Sequence, residues 1–148
     1  MNIQNIIFLF DRDLSRLKSE MESYKNENII WVIDKGIANS AGNLCLHLIG
    51  NLNTYVGLGI GKVDYVRNRE VEFSSKGISK SELLSKIEAT QKVVQTSLMQ
   101  LETSDLENEF PMLVWEKPTT TEFLLIHLTT HLAYHLGQIN YHRRLLDE

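Results

Sequence analysis

The stretch TTTEFLLIHLTTHLAYHLGQINYHRRLL, residues 119–146, decides the fold. It opens on a capping-box pattern, Thr119 to Glu122, in which each residue can satisfy the other's free backbone N–H. It then keeps a helical period to about Leu146. Leu124, Leu128, Leu132, Ile139 and Leu146 form one apolar stripe. Thr130, Ala133, Gly137, Tyr141 and Arg144 fall on or towards the other side, the mark of a helix with one face in a core. Four of the chain's five histidines lie here. With His127 set at 0° and about 100° per residue, His131 falls at about 40°, His142 at about 60° and His135 at about 80°. The stripe centres at about 110°, so the histidines share one border of the core face. His135 points furthest inward, His131 sits at the edge, and His127 is more exposed.

Working outward from this helix, Pro111 and Pro118 mark the connection before it. Ser79 and Glu82 form a second capping-box pattern, followed by a core face of Leu83, Ile87, Val94, Leu98 and Leu101. Ser40 can cap a helix over roughly residues 41–56, with Ala41, Leu44, Cys45, Leu48, Ile49, Leu52 and Val56 inward. Gly57, Gly59 and Gly61 then end it as a flexible turn, because glycine costs about 1 kcal/mol against alanine inside a helix. Ile3, Ile6, Ile7, Phe10, Leu14, Leu17, Met21 and Tyr24 give the first helix, ending near residues 26–28. Residues 57–78 show no helical stripe and read as extended or irregular. The pattern predicts an all-α fold: a four-helix bundle in one domain over residues 1–148. The long connection between the second and third helices would be a crossover that lets two neighbours run parallel. A functional lid is its other reading.

Bulk properties narrow the function. The chain has 148 residues, 43% of them hydrophobic, enough for one core. Net charge is −4, and Lys and Arg form no long run, which argues against nucleic acid and anionic membrane as partners. Cys45 is alone, so no intramolecular disulfide can form and a reducing cytoplasm fits. The N-terminal IIFLF is short, lacks a basic flank and does not read as a secretory signal. No apolar run approaches the ~20 residues of a membrane helix.

Imidazoles at i and i+4 on a helix can approach one ion, and neutral imidazole suits Zn, Ni, Fe or Cu. Two such pairs overlap here, His127/His131 and His131/His135, and the inward rotation favours the second. The same spacing also suits histidines bonded to neighbours at a helix border. His47, the one histidine elsewhere, lies at a border about 130° off the stripe of its helix, a position that can face a groove but by itself reads as a partly exposed surface histidine. Asn51, one turn on, can orient an imidazole or a water. HLAYH lacks the glutamate of HExxH, and VGLGIGK lacks the first glycine of a phosphate loop, since Val56 stands there. Cys45 falls on an apolar face, where an inert thiol is expected. In the long connection, Arg67, Arg69, Glu70 and Glu72 either pin the loop or send one side chain into the histidine groove.

HLTTHLAYHLGQI, residues 127–139, resembles the HxxxHxxYHxGQI signature of the DinB-like superfamily, which includes the bacillithiol S-transferases. NSAGNLCLHLIGNL is similar to the stretch that supplies that superfamily's first metal ligand, and RNREVEF resembles an uncharacterised branch of it. The resemblance covers nearly the whole chain. It implies a four-helix bundle with the long crossover, a frequent homodimer, and a three-histidine divalent metal site made by His47, His131 and His135. Leu136 departs from the signature, which often has Arg before GQI, so no role is carried over to it. Gln138, on the histidine side, is a candidate to support a ligand. The expected ion is a divalent transition metal, Zn or Ni first, then Fe or Mn. The expected function is a metal-dependent enzyme, either a thiol S-transferase or a small hydrolase, acting on a small molecule such as a low-molecular-weight thiol. The competing reading is a non-catalytic module with a structural or vestigial metal. A homodimer is expected, with Tyr141, Tyr55 and Trp115 as candidate contact residues.

Overall fold

The computed structural model describes residues 1–148. It is all-helical: α1 (Ile3–Glu22), α2 (Ala41–Leu52), α3 (Arg69–Ser74), α4 (Lys80–Leu98) and α5 (Thr121–Leu146). The one β feature is an isolated bridge between Glu109 and Thr120. No helix is long and apolar enough to cross a membrane.

The long helices start where short polar side chains accept a free backbone N–H. Asn2 does so for α1, Ser40 for α2, Ser79 for α4 and Thr120 for α5. The cap of α5 is therefore Thr120 rather than Thr119, and its side chain takes the N–H of Phe123. The α1 stripe is buried as its period requires, with Ile6, Phe10, Leu14, Leu17 and Met21 at 2% exposure or less. Helix α1 stops at Glu22, earlier than its sequence pattern suggests, and Tyr24 enters the core from the turn beyond.

Helix α1 packs on α4 and α5, and α2 packs on α5 and α4, so the four long helices surround one core. Cross-contacts give their directions. Lys18 pairs with Glu88 while Gln91 reaches Asp11, so α1 and α4 are antiparallel. Glu20 holds Asn140 and Arg143 where Tyr24 meets His142, so α1 and α5 run the same way. Asn53 bonds Thr90 and Gly57 abuts Val93, so the end of α2 runs parallel with α4. That parallel pair is what the long 57–78 connection makes geometrically accessible.

Two expectations change. Residues 53–58 continue α2 as a π-type turn, and the glycines that follow are close-packing positions rather than a flexible turn. A Cβ on Gly59 would strike the Phe110 ring, and one on Gly61 would strike Ser97. The 57–78 connection is also not wholly irregular, because it holds the six-residue α3, capped by Asn68. A helix this short shows under two turns of periodicity, too little for a stripe to register.

Candidate metal centre

Helix α2 carries His47 and Asn51 inward on one face, both 7% exposed. Its first turn also fixes α3. The Asn43 side-chain amide donates to the backbone carbonyls of Glu72 at 3.0 Å and Ser75 at 2.8 Å. Ser40 in turn donates its hydroxyl to Asn43 Oδ1 at 2.6 Å. This clamp brings Glu72 onto α2, where the backbone of Gly50 leaves room. A Cβ on Gly50 would overlap the Glu72 carboxylate.

Glu72 is 6% exposed and has three N–H partners. Arg67 donates Nε–H to Oε2 and Nη2–H to Oε1, both at 2.9 Å. His47 Nδ1 lies 3.1 Å from Oε1. A carboxylate can only accept, so Nδ1 carries the proton and His47 Nε2 keeps a bare lone pair. The Phe73 ring lies against the His47 imidazole, with centroids 4.9 Å apart. Arg69 sits over that phenyl ring at 5.4 Å, and Glu70 is exposed. The charged run in the connection thus both pins α3 and sends one carboxylate to the histidines.

Helix α5 brings the other two imidazoles. His47 Nε2 and His131 Nε2 lie 3.1 Å apart. His135 Nδ1 is 2.7 Å from Gln138 Oε1, which assigns Nδ1–H to His135 as donor and leaves its Nε2 bare. The nearest ligand atoms of His47, His131 and His135 all fall within 4.8 Å of one another. Two nitrogens on one tetrahedral zinc sit about 3.3 Å apart, given Zn–N of about 2.0–2.1 Å. The His47–His131 pair is close to that value, and His135 is set somewhat wider.

Electrostatics favours the neutral form of His47 and His131. Burial lowers the pKa of His131 to about 4, with His135 and His47 adding to the effect. Burial also lowers that of His47, while its bond to Glu72 opposes the shift. Neutral imidazole is the form that ligates. Two buried polar atoms beside the trio lack a hydrogen-bond partner, His131 Nδ1 and Asn51 Oδ1. Three imidazoles, two with their outer nitrogen engaged, form a donor set that fits a divalent transition metal.

The remaining sequence candidates separate from the trio. His127 stacks at 6.0 Å on His131 and meets Trp115 edge-on at 4.9 Å, outside the cluster. His142 is 6% exposed and structural. Its Nε2–H donates to Val32 O and its Nδ1 accepts from the Tyr24 hydroxyl, both at 2.8 Å. Burial lowers its pKa, so it does not serve the helix end as a cation. The inward order also shifts: His131, not His135, is the more enclosed of the pair, since its Nδ1 is buried while His135 bonds Gln138 on the exposed side. Leu136 packs at the core edge. Cys45 is fully buried, and burial pushes its thiol up to about 12, which fits an inert role. Sequence reasoning passed over Gly50, Asn43 and Phe73. Gly50 carried a signal, since a glycine amid helix-forming residues points to a close approach.

Residues 3–148 match the model of the family described as "Protein of unknown function (DUF1572)", and the chain belongs to that family. No curated protein matches the chain.

Proposed function

We propose that this chain is a DinB-like four-helix bundle in which His47, His131 and His135 hold one divalent transition metal, Zn or Ni foremost, in a small-molecule enzyme. The observation that carries the reading is the convergence of three imidazoles, with Glu72 and Gln138 on the outer nitrogens of two of them. Such outer bonds fix the tautomer and ring orientation that ligation needs. Arg67 fixes the carboxylate, and Phe73 covers one side of the His47 ring. When bound, the ion supplies a Lewis acid that favours the anionic form of a thiol or a water. A thiol S-transferase or a small hydrolase follows, with a low-molecular-weight thiol as the first substrate to try. One observation favours a structural metal instead: Glu72, the carboxylate nearest the trio, is held on both oxygens by Arg67 and His47 as a positioning partner, not as a free base.

The test is metal per chain by mass spectrometry on folded variants. His47→Ala, His131→Ala and His135→Ala each lose metal, and His127→Ala keeps it. Equal loss from His127→Ala moves the site to the outer pair, and full retention in all three ligand variants removes it. A thiol-conjugation screen on the loaded protein then separates enzyme from structural module.

Cytoplasmic localisation and a homodimer belong to the same proposal. Trp115, 39% exposed, is the candidate contact for the dimer, whereas Tyr55 packs on the core and under Arg67 and Tyr141 lines a groove along α5. Sedimentation at micromolar concentration giving one 17.1 kDa species overturns the dimer.

A further inference from the structure

Beside the trio, a groove of about 420 Å³ runs along the C-terminal half of α5. Tyr134, Tyr141 and Leu145 form one wall, and Ile37 and Leu44 form the other. His135 and Gln138 line it too, so it shares a ligand with the metal centre, while His47 and His131 lie outside it. From His135 to Leu146 the helix rises about 16 Å. Seven of the thirteen lining residues are hydrophobic. Tyr134, Tyr141, Leu145 and Ile37 are 65%, 63%, 53% and 38% exposed, so their apolar surface is available within the groove.

The groove is preformed. The segment that makes its outer wall turns through Lys35 and Gly36, both at positive φ. Its start is tied to α5 twice, by the His142 bond to Val32 O and by Lys35 Nζ on Leu145 O at 3.4 Å. A concave, mostly apolar site of this volume suits a small molecule, because small-molecule sites span roughly 300–1,000 Å³. Its polar lining comprises His135 and Gln138 beside the trio, together with Asp34, Lys35, Asn39 and His142, the last with both ring nitrogens already engaged. An occupant that satisfies both parts has an apolar tail and a metal-binding head.

We infer that this groove is the substrate-tail site of the metal centre, and that it takes an elongated amphiphile: an aliphatic or aromatic tail against Ile37, Leu44 and Tyr141, with a donor head at His135. The inference rests on the metal reading above for the head, and on the groove alone for the tail. Three probes separate the two parts: acetohydroxamate, octanohydroxamate and 1-octanol. Titration calorimetry with zinc-loaded protein gives octanohydroxamate at least about tenfold tighter binding than acetohydroxamate, because each buried methylene adds to the transfer free energy. Amide NMR shifts for its tail map to Ile37, Leu44 and Tyr141. Ile37→Asp, at an exposed position, abolishes the advantage of the longer chain and leaves metal content and acetohydroxamate binding unchanged. If neither zinc nor acetohydroxamate binds, the metal reading fails, and 1-octanol shifts at the same three residues in chelator still support the tail site. Equal affinity for the two hydroxamates, or 1-octanol shifts that map elsewhere, overturns it.

Discussion

Replacing Glu72 by Gln keeps the size of the side chain and removes its charge, and two separate losses follow. The carboxylate accepts from Arg67 Nε, Arg67 Nη2 and His47 Nδ1. A glutamine has one oxygen to accept and an amide that can only donate. If the oxygen stays with His47, the amide faces Arg67 Nε, donor against donor. Breaking a buried ion pair costs about 3–5 kcal/mol, and the Arg67 side chain, 16% exposed, recovers part of that from water. The expected loss of unfolding free energy is therefore about 2–3 kcal/mol, measured by urea denaturation in chelator. The second loss is in metal binding. Even where the amide oxygen still accepts from His47, the charge that raised the ligand's basicity is gone, and mutating an outer partner of a ligating histidine costs about 10–100-fold, or roughly 1.4–2.7 kcal/mol. Competition titration with a chromophoric zinc chelator reads it directly. Arg67→Met added to Glu72→Gln separates the two losses. It removes the stranded cation and recovers much of the stability, since a hydrophobic replacement of a buried pair is often near neutral. It does not restore zinc affinity. Zinc affinity within about twofold of wild type, together with stability within about 0.5 kcal/mol, would refute the assignment of Glu72 as the partner of His47.

Gly50→Ala should lose about 1–3 kcal/mol by thermal unfolding and lower metal content, because the new methyl group displaces the pinned Glu72 carboxylate. Gly137→Ala, where nothing lies within 4 Å of a Cβ, should instead gain up to about 1 kcal/mol from helix propensity. A gain at both positions would mean that Glu72 can move aside freely. Acid should weaken the metal-free protein: burial lowers the pKa of His131, to about 4, and those of His47 and His142. The fold holds these rings neutral while the unfolded chain takes up protons below about 6.5, so stability is full above that pH and falls as pH drops. A loss of about 1–2 kcal/mol between pH 7.5 and pH 5 in urea titrations is expected. No loss would mean the rings are not held neutral.

Periodicity alone located the four long helices, and it did so because each has one buried face sustained over several turns. Cap chemistry placed the starts of α2, α4 and α5 to within a residue, as with Ser40 and Ser79, though among three consecutive threonines it chose Thr119 where the backbone uses Thr120. The i, i+4 spacing on α5 offered two histidine pairs, and the wheel singled out His131 and His135 because that pair is rotated further towards the core face. It had no means to decide on His47. That side chain sits 84 residues from His131, and a border position becomes a site only when a second helix is laid against it. The tertiary structure did that by setting α2 beside α5, and it decided more through α3. A six-residue helix leaves too little pattern to be seen, yet its Glu72 fixes the His47 tautomer, held by Arg67 on one side and by the gap at Gly50 on the other. A sequence settles which residues share a face, because that depends on local geometry. Which faces meet depends on how the whole core closes, and the outer partner of His47 was fixed at that stage, whereas that of His135, Gln138, lies three residues along the same helix.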